Sequence, residues 1–210
     1  MFQAEQLAQY KIVPVIAIDD VAHAVPLADA LIAGGLPLAE VTFRSAVAAE
    51  VIRVMARERP QLLIGAGTIL DPKTVDLAME CGAQFGVAPG LNPRVVSHAQ
   101  QKGFAFVPGV CSPSDIERGL ELGCKTLKFF PAEAVGGVKL LSALSAPYQH
   151  TGVKFMPTGG VSLANVKSYL EIKTVLAVGG TWIAKKDDMV AGRWDVIAEN
   201  CRAALNVVRG

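Results

Sequence analysis

Two charged residues in apolar surroundings, Lys128 and Glu40, are the side chains of this sequence best suited to chemistry. Lys128 stands in residues 126–130, an apolar run with the pattern of a β-strand that ends at Pro131. Alternate side chains of a strand share a face, so Lys128 and Phe130 are expected to point the same way. Loss of water around an ammonium group lowers the pKa of a lysine, and only a neutral amine attacks a carbonyl carbon. The run is typical of a Schiff-base lysine, although a strand-end lysine that extends to solvent fits it as well.

Glu40 lies in a second apolar run, residues 36–43, with Thr42 on the same face of the predicted strand. A carboxyl group held in an apolar strand titrates above its ordinary pKa unless it is paired. Facing Lys128, it would act as a general acid and base. It would equally serve as the partner of a structural ion pair. Both interpretations require Glu40 and Lys128 to meet in the fold.

The elements that must position these residues alternate between strand and helix. Three predicted helices open with an N-cap residue followed by proline and stop at a glycine, at residues 71–82, 92–103 and 112–123. Ser45 and Ser162 are further candidate N-caps, and residues 2–10 are predicted to form a short N-terminal helix. Eight strand runs end near Ile18, Phe43, Gly67, Pro89, Pro108, Phe130, Pro157 and Gly179.

This alternation predicts an α/β protein with parallel strands, and eight units favour a closed (β/α)8 TIM barrel over an open doubly wound sheet. We expect one domain over residues 1–210. Strands two and six are not neighbours in such a barrel, so Glu40 would have to reach Lys128 across the interior.

Composition excludes several classes of function. The chain of 210 residues is 51% hydrophobic and 19% charged with a net charge of +1, which predicts neither a nucleic-acid nor a membrane surface. Charges interrupt every apolar run before about 18 residues, and the start lacks the pattern of a signal peptide. The four cysteines form no C-x-x-C pair, so we expect free thiols in the cytoplasm, with Cys111 a small buried side chain.

Further candidates stand at the ends of the predicted strands, where barrel enzymes place their active sites. Arg44 is either a carboxylate clamp or a solvated arginine, and Thr68 either contacts a ligand oxygen or caps the loop before Asp71. Gly159–Gly160 and Gly179–Gly180 follow the last two strands, where barrels commonly bind phosphate, although glycine pairs also serve simple turns. Residues 181–183 are the candidate small extra helix of such a site.

Other constellations are missing from the sequence. The three histidines form no H-x-H or H-x-x-x-H pair and no Cys/His cluster, so a zinc site is not indicated. The sequence also lacks a Walker A motif and the spacing of a dinucleotide-binding G-x-G-x-x-G.

Taken together, these motifs resemble the KHG/KDPG aldolases, the family of 2-keto-3-deoxy-6-phosphogluconate (KDPG) aldolase. The resemblance is carried, in order along the chain, by Glu40-Val41-Thr42 with Arg44, Gly65-Ala66-Gly67-Thr68, Pro89-Gly90-Leu91, Lys128-Phe129-Phe130-Pro131-Ala132-Glu133, Pro157-Thr158-Gly159-Gly160 and Gly179-Gly180-Thr181-Trp182.

The resemblance implies a class I aldolase that cleaves KDPG to pyruvate and glyceraldehyde 3-phosphate, with 4-hydroxy-2-oxoglutarate (KHG) as a possible second substrate. Lys128 would be the Schiff-base lysine and Glu40 the proton shuttle. The remaining implied contacts are Arg44 and Thr68 for the carboxylate, Pro89, Phe130 and Thr158 for the pyruvyl part, and Gly159, Gly160, Gly180 and Thr181 for the phosphate. Serine is common in the family where this chain has Thr181. The resemblance further implies a homotrimer that needs no metal or other cofactor.

Three other functions stay open from the residues alone. One is a different phosphate-binding barrel enzyme, such as an isomerase, without a covalent lysine. Another is a metal-dependent pyruvate aldolase. The third is a non-catalytic protein that binds a phosphorylated metabolite.

Overall fold

The computed structural model describes residues 3–209, in which most strands are followed by a helix, as the sequence predicts. The strands β1 to β9 comprise Ile12–Ile16, Leu38–Thr42, Leu63–Gly67, Phe85–Val87, Ala105–Val107, Gly109–Val110, Thr126–Phe129, Lys154–Pro157 and Val178–Gly180. The helices α1 to α10 comprise Ala24–Ala33, Ala48–Glu58, Pro72–Glu80, Pro93–Gln101, Pro113–Glu121, Ala132–Val135, Gly137–Ser145, Val166–Leu170, Lys186–Val190 and Trp194–Arg209. Short 3-10 helices span Ala4–Gln9, Val21–His23 and Ala146–Thr151.

All strand pairs are parallel, which confirms the predicted α/β class, but the strands form two sheets. One sheet has the order β5-β4-β3-β2-β1-β9 and the other the order β6-β7-β8. Among residues 3–209, the hydrogen-bonded strands therefore do not join into one continuous ring, and the parallel α/β arrangement is the part of the prediction that is confirmed. Pro108 separates β5 from β6, and Pro157 ends β8; proline has no amide hydrogen to donate to a neighbouring strand. Two isolated bridges, Phe155–Val175 and Thr158–Gly179, link the sheets at β8 and β9.

Two apolar clusters hold the elements together. The larger one packs the strands against the helices and includes Ile16, Leu31 and Phe155. The smaller one contains inward-facing strand residues such as Leu38 and Phe85 together with Leu7 of the first 3-10 helix. Residues two apart in a strand share a face, so Glu40 lies on the same inner face as Leu38, one layer nearer the C-terminal strand ends.

The three proline-opened helices have the predicted N-caps. The side chains of Asp71, Asn92 and Ser112 accept hydrogen bonds from the backbone N–H groups of Thr74, Arg94 and Asp115. The glycines after these helices, Gly82, Gly103 and Gly123, have φ of 97°, 66° and 75°, the left-handed backbone that glycine adopts without cost.

Other predicted boundaries are wrong. The predicted N-terminal helix is a 3-10 helix over Ala4–Gln9, and its predicted first residue, Phe2, lies outside the described residues. Ser45 caps no helix, because its hydroxyl donates to the carbonyl of Ile18 at 2.6 Å. The helix expected after Ser162 begins only at Val166. Between residues 3 and 209, no helix is both long and apolar enough to cross a lipid bilayer.

Candidate active site

Lys128 and Glu40 meet inside the molecule. The Nζ atom of Lys128 lies 3.2 Å from Oε1 of Glu40, and the two side chains are 7% and 0% exposed. Lys128 belongs to β7 in the three-stranded sheet, whereas Glu40 belongs to β2 in the six-stranded sheet. The contact therefore spans the interior between the sheets, as the separation of the two strands in the sequence requires.

The two carboxylate oxygens of Glu40 differ in their hydrogen bonding. Oε1 binds Lys128, whereas Oε2 is buried and has no hydrogen-bond partner among the described residues. A buried carboxylate oxygen without a donor is unfavourable, and a substrate hydroxyl or a water molecule would relieve it. Gly67 makes room for the carboxylate, because a Cβ at this position would lie 2.4 Å from Oε1. This glycine is therefore part of the site.

Phe130 lines the site beside the lysine. The Lys128 Nζ atom is 5.6 Å from the centroid of the Phe130 ring, within the range of a cation–π contact. The half-buried ring lies just beyond the C-terminal end of β7 and also packs near Gly159, where a Cβ would be 3.3 Å from its Cδ2 atom. Phe130 thus connects the lysine to the first glycine pair.

Arg44 is held by a short chain of hydrogen bonds. Its Nε atom donates to the hydroxyl of Thr42 at 3.2 Å, and that hydroxyl donates to the carbonyl of Ile16 at 3.0 Å. Because the single hydroxyl hydrogen of Thr42 is used on Ile16, an oxygen lone pair faces the arginine. The exposed guanidinium keeps its Nη groups available for a ligand carboxylate.

Thr68 and Pro89 stand at the C-terminal ends of β3 and β4, and both are half-buried. Thr68 has a φ of 61°, which is uncommon for a β-branched residue and concentrates at functional sites. The N-cap of the following helix, α3, is supplied by Asp71.

The two glycine pairs lie side by side, as their positions after neighbouring strands predict. Thr158 and Gly179 are bridge partners, and a Cβ on Gly179 would be 2.2 Å from the Thr158 hydroxyl oxygen. Gly159 and Gly160 have φ of 97° and 81°. Within residues 3–209, the backbone N–H groups of Gly159, Gly160 and Thr181 donate to no other backbone or side-chain group. Such N–H groups at a turn are suited to an anion.

The predicted extra helix at residues 181–183 is wrong, because these residues form bends and the next helix is Lys186–Val190. In this bend the Trp182 ring folds back over Gly180, where a Cβ would lie 2.3 Å from it. Thr181 is exposed beside this turn.

None of the four cysteines is among the site residues described above. All four are free. Burial raises the pKa of Cys124 to about 11 and that of Cys201 to about 12, so these thiols stay protonated. Cys111 is exposed and not buried as expected, because it stands in the loop between β6 and α5.

Sequence reasoning missed the contacts behind the first glycine pair. Tyr169 donates a hydrogen bond to Glu133, and Asn165 donates to the carbonyl of Gly160. Tyr169 lies on α8 and Asn165 directly before it. No pattern in the sequence connects either residue with Glu133.

The chain is similar to aldolases over nearly its whole length. The family model for KDPG and KHG aldolase matches residues 4–200. A 2-dehydro-3-deoxy-phosphogluconate aldolase of Haemophilus influenzae is 45% identical over 205 residues, which cover 98% of this chain and 96% of the relative. The KHG/KDPG aldolase of Escherichia coli K12 is 43% identical over 194 residues, which cover 92% of this chain and 90% of the relative.

A solved structure is similar over the same length. The KDPG aldolase of Legionella pneumophila, with pyruvate captured at low pH as a covalent carbinolamine intermediate, superposes with a TM-score of 0.93. It is 36% identical, and the match covers 97% of this chain and 98% of the Legionella chain. These relatives span nearly the whole chain, and the chain belongs to the KDPG and KHG aldolase family.

Proposed function

We propose that this protein is a class I aldolase that cleaves KDPG to pyruvate and glyceraldehyde 3-phosphate through a Schiff base on Lys128. The observation that carries the proposal is the buried contact of 3.2 Å between the Lys128 amine and the Glu40 carboxylate. The names of the relatives and the covalent pyruvate adduct in the Legionella enzyme support it.

Schiff-base formation begins with the neutral Lys128 amine, which attacks the C2 carbonyl carbon of the substrate. The resulting carbinolamine loses water and leaves an iminium ion. Glu40 lies within hydrogen-bond distance of the attacking nitrogen and accepts or returns the protons of these steps.

Cleavage then uses the iminium as an electron sink. Glu40 takes the proton of the C4 hydroxyl as the C3–C4 bond breaks, and the bonding electrons pass into the iminium to form an enamine. Glyceraldehyde 3-phosphate leaves, and a proton is returned to C3 of the enamine. Water hydrolyses the new iminium, which releases pyruvate and restores the amine. The unpartnered Oε2 of Glu40 supports this double role.

Substrate binding follows the same assignment. Arg44 and Thr68 hold the C1 carboxylate, while Pro89, Phe130 and Thr158 surround the pyruvyl part. Gly159, Gly160, Gly180 and Thr181 bind the phosphate. KHG has the same first four carbon atoms as KDPG, so we propose that it is cleaved to pyruvate and glyoxylate at the same lysine.

The assembly and environment belong to the same proposal. The two sheets form one closed (β/α)8 barrel, supported by the bridges between β8 and β9 and by the hydrogen bond from the Leu176 N–H to the Phe155 carbonyl at 3.0 Å. The protein acts as a cytoplasmic homotrimer. No metal or other cofactor is required, because the iminium supplies the electron sink.

Borohydride trapping tests the proposal. Incubation with pyruvate and sodium borohydride is expected to add the mass of one reduced pyruvate to the peptide that contains Lys128. Lys128→Ala should take up no pyruvate and cleave no KDPG while it keeps the fold by circular dichroism. The exposed Lys139 provides a matched control, and Lys139→Ala should be labelled like the unsubstituted protein.

Trapping also separates the alternatives. An isomerase or a non-catalytic binding protein would give no adduct, and a metal-dependent aldolase would lose activity with EDTA. Absence of an adduct at Lys128, or an adduct at another lysine, would overturn the assignment.

A further inference from the structure

Behind the Gly159–Gly160 turn, Glu133 packs directly against the backbone. The N–H groups of Ala132 and Glu133 donate to the carbonyls of Thr158 and Gly159 at 2.8 and 3.0 Å. A Cβ on Gly160 would lie 2.5 Å from the Cβ of Glu133. The start of α6, just after the strand that carries Lys128, thus supports the turn from the protein side.

The carboxylate of Glu133 is held by the buried Tyr169. The tyrosine is 0% exposed and its hydroxyl donates to Oε1 of Glu133. Burial raises the pKa of Tyr169, and the hydrogen bond to the Glu133 carboxylate adds to this effect, so the hydroxyl remains a donor at neutral pH. Gly137 leaves room for the pair, because a Cβ there would be 3.0 Å from Oε1.

A third contact fixes the far side of the turn. The Asn165 side chain donates to the carbonyl of Gly160 at 3.2 Å and accepts from the N–H of Ser162 at 2.8 Å. The carbonyls of residues 158–160 are therefore all bound within the protein. With its carbonyl groups held on one side, the turn is fixed with the N–H groups of Gly159 and Gly160 free for a ligand.

We propose that Glu133 and Tyr169 are positioning residues that shape the Gly159–Gly160 turn for the substrate phosphate. The inference rests on the proposed function, since the ligand of the turn is the phosphate of KDPG. The hydrogen bond from Tyr169 holds the Glu133 backbone against the turn. It also directs the carboxylate toward α8, where its negative charge is kept from the anion. Neither residue touches the reacting atoms.

The test uses a substitution that removes only the hydroxyl. Tyr169→Phe keeps the buried ring and is expected to raise KM for KDPG and the inhibition constant of inorganic phosphate about tenfold, the order expected for a hydrogen bond to a charged group. Deuterium exchange at C3 of pyruvate, which uses Lys128 and Glu40 but no phosphate, should keep its rate and its KM.

Matched variants separate this role from general damage. Tyr148 also donates to a glutamate, Glu117, at 3.0 Å, and it lies in the 3-10 helix before β8, so Tyr148→Phe should change none of these constants. Glu133→Ala should reproduce the effect of Tyr169→Phe, and Glu133→Gln, which keeps an acceptor for the tyrosine, should recover most of the affinity. Glu133 is exposed, so its variants remain informative if Tyr169→Phe does not fold.

Two outcomes would overturn the inference. One is an unchanged KM for KDPG and an unchanged phosphate constant in both Tyr169→Phe and Glu133→Ala. The other is an equal rise in the KM for pyruvate, which would indicate a structural effect on the whole site. Failure of the aldolase assignment looks different, because the unsubstituted protein would then neither cleave KDPG nor exchange pyruvate.

Discussion

At the residue scale, the two carboxylate oxygens of Glu40 are available for different steps, because only one of them is hydrogen-bonded. Oε1 holds the amine of Lys128, while Oε2 has no partner in the described part of the chain. Glu40→Gln keeps an acceptor for the lysine but removes the proton-accepting group. We expect KDPG cleavage to fall by roughly 10² or more, the usual effect of a lost general base.

Two measurements check this expectation. Steady-state kinetics should show the loss in kcat, whereas borohydride trapping with pyruvate should still label Lys128 slowly. Normal turnover of Glu40→Gln would contradict the role given to Glu40 and leave it as the partner of a structural ion pair.

A second prediction concerns Thr42, whose hydroxyl accepts a hydrogen bond from Arg44 and so orients the guanidinium. The hydroxyl of Thr42 is 3.0 Å from the carbonyl of Ile16 and 3.2 Å from Nε of Arg44, and Thr42 itself is only 3% exposed. Thr42→Val has nearly the same shape but cannot accept from the arginine. We expect KM for pyruvate, measured by deuterium exchange, to rise between a few-fold and tenfold, the effect of one hydrogen bond.

Serine offers the control for this substitution. Thr42→Ser keeps the hydroxyl and should stay close to the unsubstituted protein. If valine and serine raise KM equally, the effect comes from packing and the hydrogen bond does not orient Arg44.

Individual site residues were predictable to different degrees. Lys128 and Glu40 stand out because a charge inside an apolar strand is unusual, and their strand positions already placed them near a common site. Tyr169 gave no such signal, since a buried tyrosine in a short amphipathic segment is ordinary. Its partner, Glu133, is distant in sequence, and such a pair is found only from coordinates.

At the scale of single elements, β3 makes the space in which the Glu40 carboxylate sits. A Cβ on Gly67 would be 2.4 Å from Oε1 and 3.0 Å from Cγ of Glu40, so Gly67→Ala must displace this side chain. A misplacement of about 1 Å in a reacting group costs on the order of 10²-fold in rate. We expect kcat for KDPG to fall by this order while pyruvate is still trapped on Lys128.

The thermal midpoint distinguishes a local from a global effect of Gly67→Ala. The displaced atoms are the end of a flexible side chain, so Tm should change little. A large loss of stability, or unchanged kcat, would show that Gly67 does not act through Glu40.

Element boundaries were predictable where the signal is local. Asp71, Asn92 and Ser112 each precede a proline, and this combination admits few structures other than a helix start. Ser162 has no proline after it, and Asn165 binds its backbone N–H in a turn, which delays the helix. The bend at residues 181–183 brings the Trp182 ring over Gly180, a contact that local sequence propensity does not reveal.

At the scale of the molecule, the parallel order of the strands followed from the alternation of patterns. The extra short strand β6 directly after β5 and the division into two sheets did not. The gap at Pro108 could have been suspected, since proline cannot donate to a ladder. The gap between β8 and β9 could not, because residues 174–177 have a strand-like sequence and only Val175 forms a bridge there.

The last prediction concerns the seam between the two sheets, the contact at which Thr158 and Gly179 form a bridge. A Cβ on Gly179 would lie 2.2 Å from Oγ1 and 2.8 Å from Cγ2 of Thr158, a buried β-branched side chain with little freedom to move. Gly179→Ala must push the two sheets apart beside the proposed phosphate turn. We expect a loss of about 1–3 kcal/mol in unfolding free energy, and hence a Tm lower by roughly 2–12 °C.

Gly90→Ala, whose Cβ would meet nothing within 4 Å, is the control and should leave Tm unchanged. Because the seam carries one of the two glycine pairs, Gly179→Ala should also weaken inhibition by inorganic phosphate. Calorimetry that gives both variants the same Tm would mean that Thr158 and Gly179 are not packed as described and that the sheets do not depend on this contact.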